Sequence, residues 1–204
     1  HRPYTYPEDK IDIPSGKSRS GAVKYSDYAL QQMFKKAKNK PWFKNTIFVF
    51  VADHVSPEKY APLTKTPKGS TAIFYFIYAP GSNLKGLDST VTQQLDIMPT
   101  VLGLTGYNKP YFAFGRDVFN ERERFPMASN YVNQLYQCIT GEISIYINDK
   151  NIQSAYAADD LMQEHNIAHQ NSPAQSEALI HFKALLQSYY NHVTAKYYLV
   201  KERK

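Results

Sequence analysis

Apolar residues along the chain fall into two kinds of pattern. Two short, uninterrupted runs, Thr46–Ala52 and Ser70–Tyr78, are rich in β-branched and aromatic residues, which predicts strands buried on both faces. Two longer segments, residues 22–39 and 176–199, place apolar residues three and four positions apart, the spacing of amphipathic helices. Buried strands between helices indicate an α/β fold, in which helices cover the sheet.

Two further segments complete the predicted elements. Residues 90–104 carry apolar residues at helical spacing, and we expect Asp96 to cap the first turn of a helix there. Residues 130–139 and 142–148 flank Thr140-Gly141, and the second segment alternates apolar with polar side chains, which predicts a β-hairpin. We expect the aromatic stripe of the C-terminal helix to lie in the core.

Composition and charge exclude several classes of protein. Of the 204 residues, 43% are hydrophobic, too many for a disordered chain. The net charge of +6 is too small to indicate a nucleic-acid partner, and no apolar stretch approaches the ~20 residues that span a bilayer. Cys138 is the single cysteine, so an internal disulfide is excluded. Because the chain opens with His1-Arg2-Pro3 rather than a start Met or an apolar leader, we expect it to belong to a longer protein.

Asp53 and His54 directly follow the first apolar run. Ligands of α/β sheets bind beyond the carboxyl ends of the strands, where this pair is predicted to lie. A carboxylate oxygen and an imidazole nitrogen together suit Zn²⁺, Mn²⁺ or a similar divalent ion. The alternative from spacing alone is that Asp53 caps the following turn and His54 is solvated beside it.

Four segments resemble motifs of one superfamily and occur in its order. They are the His-x-Pro loop His1–Glu8, the strand with its Asp-His pair Thr46–His54, the Asp-x-x-Pro-Thr helix Gln94–Gly106 and the Phe-Gly-x-Asp element Phe112–Phe119. Together they resemble the sulfatase and alkaline-phosphatase superfamily, most closely its lipoteichoic acid synthase and phosphoglycerol transferase branch. The resemblance implies that residues 1–119 are the C-terminal part of a sulfatase-like catalytic domain, with a sheet flanked by helices. Residues 120–204 are expected to pack on the same domain as a hairpin and a long helix.

The resemblance also implies a metal centre. Asp53 and His54 correspond to metal ligands, and His1 corresponds to a residue that reaches the substrate phosphate. The implied ion is Mn²⁺, with Zn²⁺, Mg²⁺ or Ca²⁺ as alternatives. The family's threonine nucleophile and its first carboxylate ligand precede the His-x-Pro loop, and no residue of this chain matches either. We therefore expect the metal site to be incomplete here and the isolated chain to be inactive.

The implied protein is an extracytoplasmic enzyme of a bacterial membrane, acting on a phospholipid- or glycan-linked phosphodiester. Its partners would be the upstream half of the same catalytic domain or, for the isolated chain, a second copy. Sulfatases pair their Asp with Asn rather than with His, so Asp53-His54 favours phosphate over sulfate esters. Val55, where relatives carry Gly or an aromatic residue followed by Gly, leaves the substrate open. The alternative function is a non-catalytic module whose tyrosines bind a glycan or a protein.

The remaining polar candidates favour structural roles. His165 and His169 have the spacing of a helical metal pair, but the zinc-protease pattern needs Glu at 166, where the chain has Asn166. Arg116 and Asp117 are expected to form a local ion pair or a turn cap rather than to contact a ligand. His181 and His192 lie in the C-terminal helix and are expected at its edge.

Overall fold

The computed structural model describes residues 2–59, 61–148 and 151–197. The chain divides into two compact units. One contains the residues up to Ala52 together with Phe74–Gly86, and the other contains Asp53–Ile73 together with the residues from Leu87 onward. The boundary expected near residue 119 stays a prediction.

The first unit contains helix α1 (Arg19–Ala37), strand β1 (Phe48–Val51) and strand β2 (Tyr75–Tyr78). The helix predicted over residues 22–39 is confirmed as α1, which begins after Ser18 because the Ser18 hydroxyl accepts a hydrogen bond from the N–H of Gly21 (3.1 Å). Aromatic rings fix α1 on the strands. Phe34 of the helix lies 4.9 Å from Phe48 and 5.8 Å from Tyr78, measured between ring centroids.

A strand forms within each predicted run, but both are shorter than predicted, and Ser70 and Thr71 belong to a 3₁₀ helix instead. The expectation that both strands are buried on two faces is wrong. They pair with each other in antiparallel register, Phe48 opposite Tyr78, and form a two-stranded sheet. Alternate side chains of the second strand are exposed: Phe76 retains 52% of its accessible surface and Tyr78 42%. Phe76 and Tyr78 lie on the same face as Phe50 and Phe48, which is the face that Phe34 of α1 contacts, so α1 covers this face only in part. An uninterrupted apolar run does not reveal how completely the chain covers a strand.

The second unit contains helix α2 and a four-stranded antiparallel sheet that is followed by helix α3. Its elements are α2 (Ile97–Leu104), β3 (Ala128–Val132), β4 (Leu135–Ile139), β5 (Ile143–Ile147), β6 (Ile152–Ala157) and α3 (Pro173–Ala195), with the strands in sequence order across the sheet. Short 3₁₀ helices lie in both units, at Phe43–Asn45, Leu63–Lys65, Gly69–Thr71, Gln94–Asp96 and Ala168–Gln170.

The predicted hairpin is confirmed as β4 and β5, but residues 130–139 are not one strand. Asn133 and Gln134 both have positive φ, 50° and 64°, and form a two-residue turn between β3 and β4. Strand β6 was not predicted. Asn148, at the end of the predicted hairpin, closes the next connection by accepting a hydrogen bond from the N–H of Asn151 (2.8 Å).

The core of the second unit lies between the sheet and α3. Ile143, Ile145 and Ile147 are 2%, 0% and 2% exposed, and they pack against Phe182 of the helix. The aromatic stripe of α3 is core only in its first half. In its second half the prediction is wrong, because Tyr189 and Val193 are 46% and 43% exposed. Tyr197, which is 59% exposed, lies beyond the end of α3. No helix in the described part of the chain is long and apolar enough to cross a membrane.

Candidate metal centre

Asp53 and His54 lie where the chain leaves β1, and both side chains are open to solvent. The Asp53 side chain is 84% exposed and the His54 side chain 66%. The two side chains turn toward each other, so that His54 Nε2 lies 3.6 Å from Asp53 Oδ2. Two ligands on one Zn²⁺-like ion lie about 3–3.5 Å apart, given metal–ligand bonds of about 2.0–2.2 Å. The separation is close to that range, so the pair fits a divalent ion as two members of its ligand set.

Backbone hydrogen bonds hold both side chains in this orientation. Asp53 Oδ1 accepts a hydrogen bond from the backbone N–H of His54 (2.9 Å). His54 Nδ1 lies 2.8 Å from the carbonyl oxygen of Val55. A carbonyl oxygen can only accept, so Nδ1 carries the proton, and in the neutral ring Nε2 keeps its lone pair. Nε2 and Asp53 Oδ2 are therefore two electron-pair donors placed side by side, an arrangement that a cation or a proton stabilises.

A glutamine from the turn before α2 also contacts this segment. The Gln94 side-chain amide donates a hydrogen bond from Nε2 to the backbone oxygen of Asp53 (2.9 Å). The two residues are 41 positions apart in the sequence, so the contact joins the Asp-His segment to the Asp-x-x-Pro-Thr motif. Metal ligands depend on such supporting contacts for their orientation.

The described residues do not form a complete metal site by themselves. Nowhere in residues 2–59, 61–148 and 151–197 do three or more His, Cys, Asp or Glu side chains come together in a way that could hold a metal ion. Asp53 and His54 thus account for two of the ligands that the resemblance implies. His1, predicted to reach the substrate phosphate, lies outside the described residues. The metal-binding role of Asp53 and His54 stays a prediction.

The Asp-x-x-Pro-Thr helix and the Phe-Gly-x-Asp element form one interlocked structure. Asp96 is 2% exposed, and its Oδ2 accepts from the N–H of Gln93 (3.0 Å) while Oδ1 accepts from the N–H of Arg116 (2.8 Å). Asp96 precedes α2 but makes no side-chain hydrogen bond that caps this helix, so the predicted cap is wrong. Its carboxylate instead closes the preceding 3₁₀ turn on Gln93 and fixes the neighbouring element. Thr100 Oγ1 accepts from the N–H of Val118 (3.2 Å), which adds a second connection. These motif residues support the fold rather than the chemistry.

Asp117 is the turn cap that the sequence favoured. Its Oδ1 accepts from the N–H of Phe119 (2.9 Å), and its Oδ2 accepts from the side-chain amide of Asn120 (2.7 Å). Gly103 leaves room for this carboxylate, because a Cβ there would overlap Asp117 Oδ2. Arg116 differs from Asp117 because it is buried. It is only 4% exposed, which its position in a turn did not predict.

The other histidines occupy separate places. His165 Nδ1 lies 3.7 Å from Asp160 Oδ2, and Asp160 also accepts backbone hydrogen bonds from Glu164 and His165. These hydrogen bonds, the one from His165 above all, lower the pKa of the Asp160 carboxyl below its ordinary value of 3.8. His181 and His192 are half-buried on α3, as expected, and each stacks on a phenylalanine.

Comparison with known proteins places these motifs in a family. The sulfatase family model matches residues 1–107, slightly more than half of the chain. The chain belongs to the sulfatase family. Asp53, His54 and the Asp-x-x-Pro-Thr helix all lie within the part that matches this family. The expected membership of the sulfatase and alkaline-phosphatase superfamily is thereby confirmed.

Curated relatives and a solved structure agree with the sulfatase assignment. The lipoteichoic acid synthases of Staphylococcus aureus strains USA300 and NCTC 8325 are 24% identical over 180 residues, which cover 74% of this chain and 26% of each relative. A crystal structure of a protein in the alkaline phosphatase superfamily from Vibrio parahaemolyticus superposes with a TM-score of 0.69 at 27% identity, covering 93% of this chain and 48% of that one. The α/β fold class is confirmed. The chain spans about a quarter of the length of these curated relatives.

Proposed function

We propose that this chain is part of the catalytic domain of a metal-dependent phosphoglycerol transferase or sulfatase-like enzyme that acts on phosphodiester substrates. One observation carries the proposal. Within the segment that matches the sulfatase family, Asp53 Oδ2 and His54 Nε2 lie 3.6 Å apart and exposed to solvent. Paired oxygen and nitrogen donors in an open position are what a catalytic divalent ion needs from a protein.

Asp53 and His54 would hold this ion, Mn²⁺ first, with Zn²⁺, Mg²⁺ or Ca²⁺ as alternatives. A bound divalent ion lowers the pKa of a hydroxyl nucleophile and neutralises charge on phosphate oxygens. The chain's own contribution is orientation. The bond from His54 Nδ1 to the Val55 carbonyl fixes the ring with Nε2 toward Asp53, and Gln94 holds the backbone of Asp53 in place.

The nucleophile and the remaining ligands are proposed to come from residues outside this chain. Two observations support this division: the chain corresponds to 48% of its structural neighbour, and the site has two ligating side chains among the described residues. We accordingly place the enzyme outside the cytoplasm as part of a membrane-anchored protein, with a phospholipid- or glycan-linked substrate. Incubated alone with Mn²⁺ and a phosphodiester, the 204-residue chain should give no turnover. Turnover above background would contradict the division.

The catalytic proposal is tested in the full-length protein that contains this chain. Asp53→Ala and His54→Ala should each lower kcat/KM for bis(p-nitrophenyl) phosphate by about 100-fold or more, because each removes a metal ligand. His169→Ala is the matched control and should leave activity unchanged, since His169 is an exposed histidine outside the segment that matches the sulfatase family. Wild-type activity in both ligand variants would refute the metal assignment. A clear preference for p-nitrophenyl sulfate would show that the ester is sulfate instead.

A second candidate function, glycan binding, is favoured by exposed tyrosines. Tyr131, Tyr189 and Tyr190 are 64%, 46% and 49% exposed. Tyr136 joins them, since its ring lies 5.1 Å from that of Tyr131 and its hydroxyl lies 3.3 Å from that of Tyr190. Exposed aromatic faces suit sugar rings. The test is binding of the chain to glycans on an array. This function is favoured if Tyr131→Ala and Tyr190→Ala abolish the binding while Asp53→Ala leaves it intact.

A further inference from the structure

Basic residues are concentrated in the first unit of the molecule. This unit, which contains the residues up to Ala52 together with Phe74–Gly86, carries 11 Lys and Arg against 4 Asp and Glu, a net charge of +7. The second unit carries 13 against 14, so it contributes nothing to the excess of +6 in the whole chain. From Tyr28 to Ala52 the sequence has five lysines and no acidic residue. The positive charge is therefore concentrated where α1 ends and the chain leads into β1.

The five lysines lie at one end of α1. They are all exposed: Lys35, Lys36, Lys38, Lys40 and Lys44. Lys35 and Lys36 belong to the last turn of the helix. Two backbone hydrogen bonds then keep the chain close to this end, from the N–H of Lys40 to the carbonyl oxygen of Ala37 (2.8 Å) and from the N–H of Phe43 to that of Lys40 (3.1 Å). We call residues 35–44 the lysine segment.

The lysine segment has no counterion within the chain. Among the described residues, none of its five lysines has a carboxylate within ion-pair distance. Lys35 donates from Nζ to a neutral group, the Gln31 side-chain oxygen (3.2 Å). Cations stabilise the C-terminus of a helix, which accounts for Lys35 and Lys36, but Lys40 and Lys44 lie beyond α1. Like charges that the chain leaves uncompensated create a positive potential that attracts an anionic partner.

Trp42 adds an exposed apolar side chain to the lysine segment. It is the single tryptophan of the chain, and it retains 50% of its accessible surface. The next residue, Phe43, packs on the unit instead, with its ring centroid 5.6 Å from that of Phe48 and 6.2 Å from that of Phe34. The carbonyl oxygen of Trp42 accepts a hydrogen bond from the N–H of Asn45 (2.9 Å), which fixes the backbone. The indole is thus held half in solvent among the lysines.

We propose that the lysine segment docks on an anionic lipid bilayer, with its lysines at the headgroups and the Trp42 indole at the boundary between headgroups and acyl chains. Lysines close to a negatively charged bilayer are attracted by its surface potential, and tryptophan favours the interface between membrane and water. A soluble polyanion would match the lysines but would offer the indole no apolar environment, so a bilayer fits the segment better.

The bilayer is a docking surface in this proposal and not a substrate. The proposal rests on the first unit alone, whereas Asp53 and His54 belong to the second unit. It therefore does not depend on their metal role, and the measurements below contain no metal and no phosphodiester substrate.

The test uses Trp42 as the reporter, because no other tryptophan contributes to the fluorescence of the 204-residue chain. The chain is titrated with vesicles of phosphatidylglycerol and phosphatidylcholine in equal parts, and with vesicles of phosphatidylcholine alone as the neutral probe. We expect the anionic vesicles to shift the Trp42 emission to shorter wavelength and to bind the chain at least about tenfold more tightly than the neutral ones. No shift with anionic vesicles, or an equal shift with neutral ones, overturns the proposal. An equal shift with heparin also overturns it, in favour of a soluble anionic polymer.

Lysine variants assign the binding to the lysine segment. Sedimentation of the chain with the anionic vesicles measures their effect. Lys36→Gln combined with Lys38→Gln should weaken binding by about tenfold or more, because both charges lie at the proposed contact. Lys109→Gln combined with Lys196→Gln removes the same charge from exposed lysines of the second unit and should leave binding within about twofold. If the two double variants weaken binding equally, binding follows the net charge of the chain and the lysine segment is not the docking site.

A tryptophan variant separates a lipid partner from attraction by charge alone. Trp42→Ala retains every lysine, and it should weaken sedimentation with the anionic vesicles by about fivefold or more because it removes the interfacial side chain. Tyr131→Ala is the control, since Tyr131 is a 64% exposed aromatic residue of the second unit and should leave binding unchanged. Circular dichroism verifies that each variant is folded. If folded Trp42→Ala binds as the wild type does, the indole does not contact the bilayer and the proposal is overturned.

Discussion

The two sheets of this protein bury their apolar side chains to very different extents. In the four-stranded sheet, α3 covers the isoleucines of β5, and Ile145 has no exposed surface. In the two-stranded sheet, Phe76 and Tyr78 of β2 remain about half exposed. The C-terminal sheet is therefore covered by a helix of the same unit, whereas the β1–β2 pair leaves part of its aromatic side chains uncovered. Exposed aromatic faces of this kind mark interaction surfaces.

The largest effect is expected in the core of the four-stranded sheet. Ile145→Ala should lower the free energy of unfolding by about 2–5 kcal/mol, because it leaves a cavity in a fully buried site. Ile180→Ala on α3 is the control, since Ile180 is 65% exposed and its truncation should cost less than about 0.5 kcal/mol. Urea denaturation followed by circular dichroism measures both.

Cys138 gives a local readout of the same core. It is fully buried, and burial raises the pKa of its thiol to about 12. At about pH 8 the folded chain should react with a thiol reagent only when this core opens. Ile145→Ala should therefore accelerate labelling of Cys138, and Ile180→Ala should not. Equal labelling rates in the two variants would contradict the comparison.

The next effect concerns the interlocked motifs beside α2. Gly115→Ala should destabilise the protein by about 1–3 kcal/mol, since a Cβ there would overlap the backbone oxygen of Leu95 and the two elements would have to separate. Gly141→Ala is the matched control because a Cβ at that position meets no atom within 4 Å. Thermal unfolding compares the two variants, and a Gly115→Ala protein as stable as Gly141→Ala would exclude the close packing.

The exposed aromatic face should affect association more than stability. Phe76→Ser removes the ring that stacks on Phe50 at 4.5 Å, which should cost about 0.5–1.5 kcal/mol. If the isolated chain dimerises through this face, the variant should shift it toward monomer in light scattering. Leu87→Ser is the control, because Leu87 is 96% exposed but lies outside the β1–β2 pair. A wild-type chain that stays monomeric at high concentration would contradict self-association.

The smallest effect is a pH dependence in the second unit. Hydrogen bonds, first that from the backbone of His165, lower the pKa of Asp160 from 3.8 in the folded chain. A lowered folded-state pKa contributes stability that is present above the unfolded pKa and is lost as pH falls through the folded one. Asp160→Asn should therefore flatten the loss of stability below about pH 4. Urea denaturation at several pH values measures this effect. If Asp160→Asn and the wild type lose stability equally as the pH falls, Asp160 does not contribute to the acid sensitivity.

Sequence patterns predicted the elements that depend on local periodicity. Helix α1, the β4–β5 hairpin and α3 each follow from the spacing of their apolar residues. The turn at Asn133 and Gln134 was missed because Gln occupies a positive-φ position where Gly is the usual signal. The exposure of β2 was missed for another reason. An apolar run indicates that a strand can be buried, but it does not show which residues bury it.

The candidate site shows the same limit. Adjacent donors after an apolar run were enough to identify Asp53 and His54, because their chemistry is visible in the sequence. The support from Gln94 and the burial of Arg116 could not be read in this way, since each depends on residues 25 or more positions away. Contacts of that kind are set by tertiary packing rather than by local pattern.

Titration of the chain with Mn²⁺, followed through its histidine NMR signals, shows whether Asp53 and His54 bind one divalent ion. His165 is an internal control, because it also lies beside an aspartate, but both oxygens of Asp160 accept backbone N–H groups. The signals of His54 should broaden at a lower Mn²⁺ concentration than those of His165, and Asp53→Ala should abolish the difference. Broadening of His54 and His165 together, or an unchanged His54 response in Asp53→Ala, would contradict the metal assignment.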